Sequence, residues 1–243
     1  MRDLKSVKLI SLLVFVLTAF SSCNLNSKQI LAKRIKHMQQ SSGNPVTIEE
    51  IKSAINKYDD EAKQVQMKNG KIGLWYKILG TRYIDRKMYG EALKCFQKAL
   101  EFYPENPNLY YYTAVCAGYM SHAALDFDAV GNFEKKQNYL NLSESAYLRA
   151  LQIDPRLTTA LYGLGILYVF ELDDCEKAIP YLERYLDIET RSIDGMFVLA
   201  RAYYVTGEYD KAVSLYDKII ATSKSAEKRA EADANKRIVL DRY

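Results

Sequence analysis

The segment Leu79–Pro104, LGTRYIDRKMYGEALKCFQKALEFYP, decides the fold of this chain. Gly80 and Ala92 are small residues at points where two neighbouring helices would approach closely, and a large side chain there would overpack the crossing. Phe96 lies one turn beyond Ala92 and can fill the space beside that crossing. Pro104 cannot continue a helix. The segment therefore predicts two antiparallel helices joined by a short turn.

This pattern of small and aromatic residues recurs three times later in the chain. The later copies contain Gly165, Tyr168, Ala178, Leu182 and Tyr185; then Ala200, Tyr203, Gly207, Ala212, Tyr216 and Ile219; and, split by an insertion, Tyr110, Ala114 and Ala117 followed by Tyr147, Ala150 and Pro155. Repetition at a fixed period is typical of stacked helical hairpins, in which each hairpin covers the apolar face of the next.

Two independent spacings place the insertion. Pro104 and Pro155 are 51 residues apart, 17 more than one 34-residue period, and Gly80 and Gly165 are 85 apart, 17 more than two periods. The extra residues fall near 120–136, where they would lengthen both helices of one hairpin or form a protruding loop.

The insertion allows two interpretations. Phe127, Val130 and Phe133 are apolar, and exposed apolar residues favour contact with a partner. The alternative is a surface excursion that the fold tolerates.

With its 34-residue period and these residues, the chain resembles the tetratricopeptide-repeat (TPR) family over residues 73–222. The resemblance implies an all-α fold, a right-handed superhelix of about four helix-turn-helix repeats with capping helices at both ends. Residues 47–72 form the expected first cap, since Thr47 and Glu50 make a capping box and Asn69-Gly70 is a helix-ending pair. Residues 223–243 form the expected last cap, and its alanines Ala226, Ala230 and Ala234 share the face suited to packing.

The first residues predict export. Basic residues precede an apolar run from Leu9 to Phe20, which is about 12 residues long and shorter than the roughly 20 that span a bilayer. A permanent transmembrane helix is therefore the weaker interpretation. The segment ending at Cys23 resembles the lipobox of bacterial lipoproteins, which implies a signal peptide over 1–22 and lipidation of Cys23. Residues 23–46 would then form a lipidated N-terminus with a short helix and a linker.

The TPR resemblance also selects a candidate groove, because the first helix of each repeat lines the concave surface in that family. The selected residues are Lys77, Tyr111, Tyr119, Tyr162, Phe170, Phe197, Arg201 and Tyr204. The set lacks the Lys and Asn residues with which some members hold a C-terminal carboxylate. What remains is an aromatic wall suited to an extended or helical peptide, although several of these tyrosines could instead pack within the array.

No catalytic, metal or cofactor site is predicted. His37 and His122 are far apart, and no nucleotide-binding loop or nucleophile elbow is present. The cysteines Cys95, Cys116 and Cys175 lie in apolar helical patterns without the close spacing of zinc or redox sites, so we expect buried core residues. A net charge of +4 is too small to indicate nucleic-acid binding.

These observations predict a non-enzymatic, lipid-anchored scaffold facing the periplasm, which binds another envelope protein or peptide of an assembly, secretion or transport complex. The alternative is a carrier of a hydrophobic small ligand, such as a helper subunit of a solute transporter. An open trough favours a peptide and an enclosed cavity favours a small ligand. Oligomerisation through the final helix, burying Ile238, Val239 and Leu240, is a further possibility.

Overall fold

A computed structural model describes residues 47–123 and 132–242 of the chain. The predicted signal peptide over 1–22, the predicted lipidated N-terminus, short helix and linker over 23–46, and Phe127 and Val130 lie outside the described residues. The chain divides into two compact units, residues 1–65 and 66–243.

The described residues form helices and no strands, which confirms the predicted all-α class. The helices are α1 (Ile48–Asp85), α2 (Tyr89–Phe102), α3 (Pro107–Ala123), α4 (Asn132–Ile153), α5 (Thr158–Ile166), α6 (Cys175–Ile188), α7 (Ile193–Val205), α8 (Tyr209–Thr222) and α9 (Ala226–Leu240), with a π-helical turn at Leu167–Glu171 after α5. In the described part of the chain, no helix is long and apolar enough to cross a membrane.

In the first unit, the described residues belong to the beginning of α1. The helix begins at Ile48, directly after Thr47, as the capping box predicts; the side chain of Glu50 lies outside the description. Ile48, Ile55 and Val65 are all more than half exposed. This part of α1 therefore has an apolar stripe that faces solvent.

The prediction that Asn69-Gly70 ends this helix is wrong, because α1 continues to Asp85. Gly70 instead allows a close approach between helices: its carbonyl oxygen accepts a hydrogen bond from the Tyr103 hydroxyl at 2.6 Å. A Cβ atom on Gly73 would lie 2.6 Å from Phe102. Both positions favour glycine because α1 packs closely against the end of α2. Local sequence does not distinguish a glycine that allows close packing from one that ends a helix.

The small residues of the repeat lie at the helix crossings, as predicted. A Cβ atom on Gly80 would lie 2.8 Å from the Phe96 ring, and one on Gly165 would lie 2.4 Å from Leu182. The matching alanines of the second helices, Ala92, Ala178 and Ala212, have no exposed surface. The two helices of each hairpin can therefore pack backbone against side chain with no intervening space.

Two tyrosines connect successive hairpins through equivalent hydrogen bonds to a glutamate of the preceding hairpin. Tyr168 donates its hydroxyl hydrogen to Glu144 at 2.7 Å, and Tyr203 donates in the same way to Glu183. Burial, and then the bond to the carboxylate, raise the pKa of both tyrosines. The buried phenol is neutral and has a partner, as a buried polar group requires.

The insertion lengthens helices. α3 has 17 residues and α4 has 22, whereas α2, α6 and α8 have 14 each. Of the apolar residues that the sequence singles out, only Phe133 is described, and 78% of its surface is exposed.

The last helix, α9, packs against α8, but not through the predicted face. Ala232 and Val239 are buried, while Ala226, Ala230 and Ala234 are exposed. The prediction relied on the spacing of small residues alone. Burial of Val239 removes more apolar surface from water than burial of an alanine does. The side of α9 that carries Val239 is therefore the more favourable one to bury. Because Val239 is covered within its own chain, it is not free for the predicted oligomer contact.

We expect Gly165→Ala to destabilise the fold by roughly 1–3 kcal/mol, because the added methyl group would overlap with Leu182. Gly118→Ala is the matched control: the nearest atom to its Cβ would be 3.7 Å away, and alanine is the better helix former. Chemical denaturation of both variants measures the difference. Equal midpoints for Gly165→Ala and the wild type would contradict the close crossing.

Candidate functional site

The first candidate site is a cleft of about 450 Å³ lined by residues of α3, α4, α5 and the π-helical turn. It is called the tyrosine cleft here. Its lining residues are Tyr111, Val115, Gly118, Tyr119, His122, Ser143, Tyr147, Thr159, Tyr162, Gly163, Ile166, Leu167 and Glu171. The cleft is open to solvent, and most of its surface is apolar.

Contacts between rings hold the aromatic wall of the tyrosine cleft in place. The Tyr162 ring stacks on Tyr185 with centroids 4.9 Å apart. Tyr119 stacks on Tyr89 at 4.0 Å and still exposes half of its surface. Tyr147 is buried at the base of the cleft, where a Cβ on Gly163 would collide with its ring. The wall is thus preorganised, which lowers the entropy cost of binding a ligand.

Polar side chains lie at one end of the tyrosine cleft. The Nε2 atom of His122 is 3.1 Å from the carboxylate of Glu171, and the Nζ atom of Lys136 is 3.9 Å from the same carboxylate. The three residues come from α3, α4 and the π-helical turn. They add a polar end to a cleft that is otherwise aromatic.

The second candidate site is a cleft of about 380 Å³ lined by residues of the π-helical turn, α7, α8 and α9. It is called the arginine cleft here. Its lining residues are Phe170, Phe197, Val198, Arg201, Tyr204, Tyr216, Glu231, Asn235, Ile238 and Val239. It is also open to solvent.

The arginine cleft carries one acidic side chain, Glu231, and one basic side chain, Arg201. The Cζ atom of Arg201 lies 5.2 Å from the centroid of the Phe170 ring, a cation–π contact. Among the described residues, Arg201 has no carboxylate within ion-pair distance. Phe170 exposes 51% of its surface. The cleft thus offers an available cation between aromatic rings.

The π-helical turn serves both clefts, since Phe170 lines the arginine cleft and Glu171 lines the tyrosine cleft. The Leu172 amide donates a hydrogen bond to the Leu167 carbonyl, five residues back, at 3.0 Å. An extra residue in the sequence explains the turn. The spacing from Gly165 to Ala178 is 13, whereas the equivalent spacing in the first and last repeats is 12. A π-helical turn absorbs one residue and is frequent at functional sites.

Seven of the eight predicted groove residues line the two clefts. Tyr111, Tyr119 and Tyr162 belong to the tyrosine cleft, and Phe170, Phe197, Arg201 and Tyr204 belong to the arginine cleft. Lys77 lines neither cleft. No bound partner is present, so the binding role of these residues stays a prediction.

Sequence reasoning missed the polar end of the tyrosine cleft and the contribution of α9. His122 and Glu171 come together only when α3 packs beside the π-helical turn. Glu231, Asn235 and Ile238 line the arginine cleft from a helix assigned as a cap. The 13-residue spacing in the third repeat is the one signal in the sequence that could have drawn attention to the π-helical turn.

The cysteine thiols of the described residues are buried, and burial raises the pKa of each. Cys95, Cys116 and Cys175 are free and buried, as predicted. Burial raises the pKa of the Cys116 thiol to about 12. Since the thiolate is the nucleophile, this cysteine is not activated at neutral pH. Within residues 47–123 and 132–242, no group of three His, Cys, Asp or Glu side chains could hold a metal ion.

Comparison with known proteins supports the repeat assignment. Models of the tetratricopeptide repeat match residues 74–106 and 169–227. The chain is also 25% identical over 230 residues to a TPR repeat-containing protein of Borreliella burgdorferi, a match that covers 93% of this chain and 96% of the relative.

Solved structures show the same fold. The crystal structure of MamA superposes with a TM-score of 0.51 at 21% identity, covering 71% of this chain and 88% of that chain. YrrB, described as a TPR protein with an unusual peptide-binding site, superposes with a TM-score of 0.52 at 17% identity, covering 82% and 97%. Two stretches of the chain thus match tetratricopeptide-repeat models, and the solved structures share its fold.

We expect Cys95, Cys116 and Cys175 to resist alkylation in the native protein at pH 8 and to react once it is unfolded in denaturant. At most 7% of each residue is exposed, and the raised pKa of Cys116 leaves little thiolate below about pH 12. Mass spectrometry of peptides after a short pulse of iodoacetamide measures the labelling. Rapid native labelling of any of the three would contradict their burial.

Proposed function

We propose that this protein is a lipid-anchored scaffold that binds a peptide segment of an envelope protein in the tyrosine and arginine clefts. The main support for this proposal is the pair of open, aromatic clefts along the first helices of successive hairpins, α3, α5 and α7. A TPR fold suggests a protein-interaction scaffold in itself. The two clefts are the proposed binding site for the partner.

The chemistry of the clefts favours a particular kind of peptide. Half-exposed rings such as Tyr119 and Phe170 offer contact area at little cost in conformational entropy. Arg201 could form a charge-assisted hydrogen bond with a carboxylate. The fitting ligand is therefore an extended or helical segment with apolar side chains next to an acidic one.

The openness of both clefts fits a peptide ligand better than it fits the alternative function, the carriage of a hydrophobic small molecule. A carrier of a hydrophobic small molecule would enclose most of its ligand surface. Clefts that are open to solvent leave part of a ligand in water, so they suit a polypeptide whose remaining surface is polar.

The envelope location rests on the N-terminal sequence. The apolar run and Cys23 resemble a lipoprotein signal, and several acyl chains hold a protein stably at a membrane. A relative in a bacterium, matched along nearly its full length, fits this proposal. Anchoring through Cys23 would leave the TPR array in the periplasm, next to its partners.

We expect Phe170→Ala and Arg201→Gln each to weaken partner binding roughly tenfold or more while leaving the melting temperature close to that of the wild type. Both side chains are exposed, so their removal leaves the core intact. Aromatic and arginine side chains dominate many interfaces. Titration with the captured partner by isothermal calorimetry measures the change.

Val205→Ala is the matched control, because Val205 is 54% exposed and lines neither cleft. If Phe170→Ala and Arg201→Gln bind as tightly as this control does, the partner does not use the arginine cleft.

We expect Cys23→Ala to release the protein from the membrane fraction and to abolish capture of its envelope partner. The substitution removes the only proposed lipid attachment point and leaves residues 47–242 unchanged. Fractionation of cells followed by crosslinking and affinity capture, with wild type in parallel, measures both effects. Membrane retention of Cys23→Ala would exclude Cys23 as the only point of membrane attachment, and capture of a hydrophobic small molecule without any protein would favour the carrier.

A further inference from the structure

The second unit exposes an apolar surface at the beginning of its array. Met67, Leu74, Trp75 and Ile78 lie on the side of α1 that faces away from α2, and between 38% and 67% of each is exposed. This surface, which also carries Lys68 and Lys71, is called the opening face here. Exposed apolar groups of this size, clustered on one face, are typical of an interaction surface.

The repeat architecture explains what kind of structure the opening face can accept. Each helical hairpin leaves an apolar face that the next hairpin covers, and a terminal hairpin needs a polar outer surface to stay soluble. At the other end of the array, α9 supplies that cover. At the opening face, nothing among the described residues covers Trp75, which is 67% exposed. The face therefore suits a helix from outside this unit.

The outer side of α9 has the complementary properties. Ala230 and Ala234 are exposed and offer a shallow surface that bulky side chains can approach. Glu227 and Asp241 lie on the same side, are exposed, and have no ion-pair partner among the described residues. This surface is called the closing face here.

The unpaired charges of the two faces are opposite, since Arg237 on the closing face forms an ion pair with Asp233 at 2.6 Å. Lys68 and Lys71 on the opening face are exposed and likewise form no ion pair with any described residue. Most other lysines of the second unit do pair, as Lys177 does with Asp174 and Lys211 does with Glu208. Opposite charges on two surfaces guide association and suppress wrong pairings. Two opening faces packed against each other would instead bring these lysines together.

We propose that copies of this protein associate head to tail, with the opening face of one copy packed on the closing face of the next. Large side chains of one copy, above all Trp75, lie over the alanines of the other, as the aromatic and small residues do inside each hairpin. Such a contact is heterologous, so every assembly retains one free opening face and one free closing face at its ends, and rows can form. Membrane-anchored copies would then present several partner clefts side by side.

Two substitutions test the contact from its two sides. Trp75→Glu places a charge at the centre of the opening face, and Ala230→Glu places a bulky charge on the closing face. Both residues are exposed, so we expect both variants to fold as the wild type does. Val205→Glu, at another exposed site, is the control. The full chain is studied in detergent by sedimentation equilibrium over a range of concentrations.

The proposal predicts that the wild type and Val205→Glu self-associate, and that each face variant weakens self-association at least about tenfold. An equimolar mixture of the two face variants must form a one-to-one dimer, because the intact opening face of Ala230→Glu meets the intact closing face of Trp75→Glu. A wild type that stays monomeric overturns the proposal. So does self-association of Ala230→Glu at wild-type strength, which would indicate pairing of two opening faces.

Discussion

Close approach between helices at small residues is the constraint on which this structure depends. Gly80 and Gly165 have no room for even a methyl group, and Ala92, Ala178 and Ala212 of the second helices are fully buried. A hairpin packed this tightly has a fixed geometry, so its outer surface is fixed as well. The next hairpin can then stack on it in a single register.

The binding clefts are a product of this stacking. Tyr111 and Tyr162 are 51 residues apart in the sequence, yet both line the tyrosine cleft because the first helices of their hairpins lie side by side. The π-helical turn at Leu167–Glu171 is a local irregularity in this stack of hairpins. By absorbing one residue it directs Phe170 to one cleft and Glu171 to the other, so a local irregularity serves two surfaces.

The helices at the two ends of the array differ from those in its interior because each has an uncovered outer face. Inside the array, the helix faces that carry Ala92, Gly165 and Ala178 are covered by a neighbouring helix, and these residues can be recognised from the repeat. At the ends, α1 and α9 have one neighbour each, and their outer faces are free to acquire other roles. The exposed Trp75 and the exposed alanines of α9 are the two consequences. Both suit contact with another copy.

The sequence by itself determined the all-α class, the repeat and the small residues at the crossings, because these depend on periodicity within single helices. The resemblance to a repeat family selected seven of the residues that line the clefts. Only the tertiary structure decided that Gly70 packs against Tyr103 instead of ending a helix, and that α9 buries Val239 and not its alanines. It also decided that His122 meets Glu171. Each of these outcomes depends on which side of a helix faces a neighbour distant in the sequence, and local pattern does not contain that information.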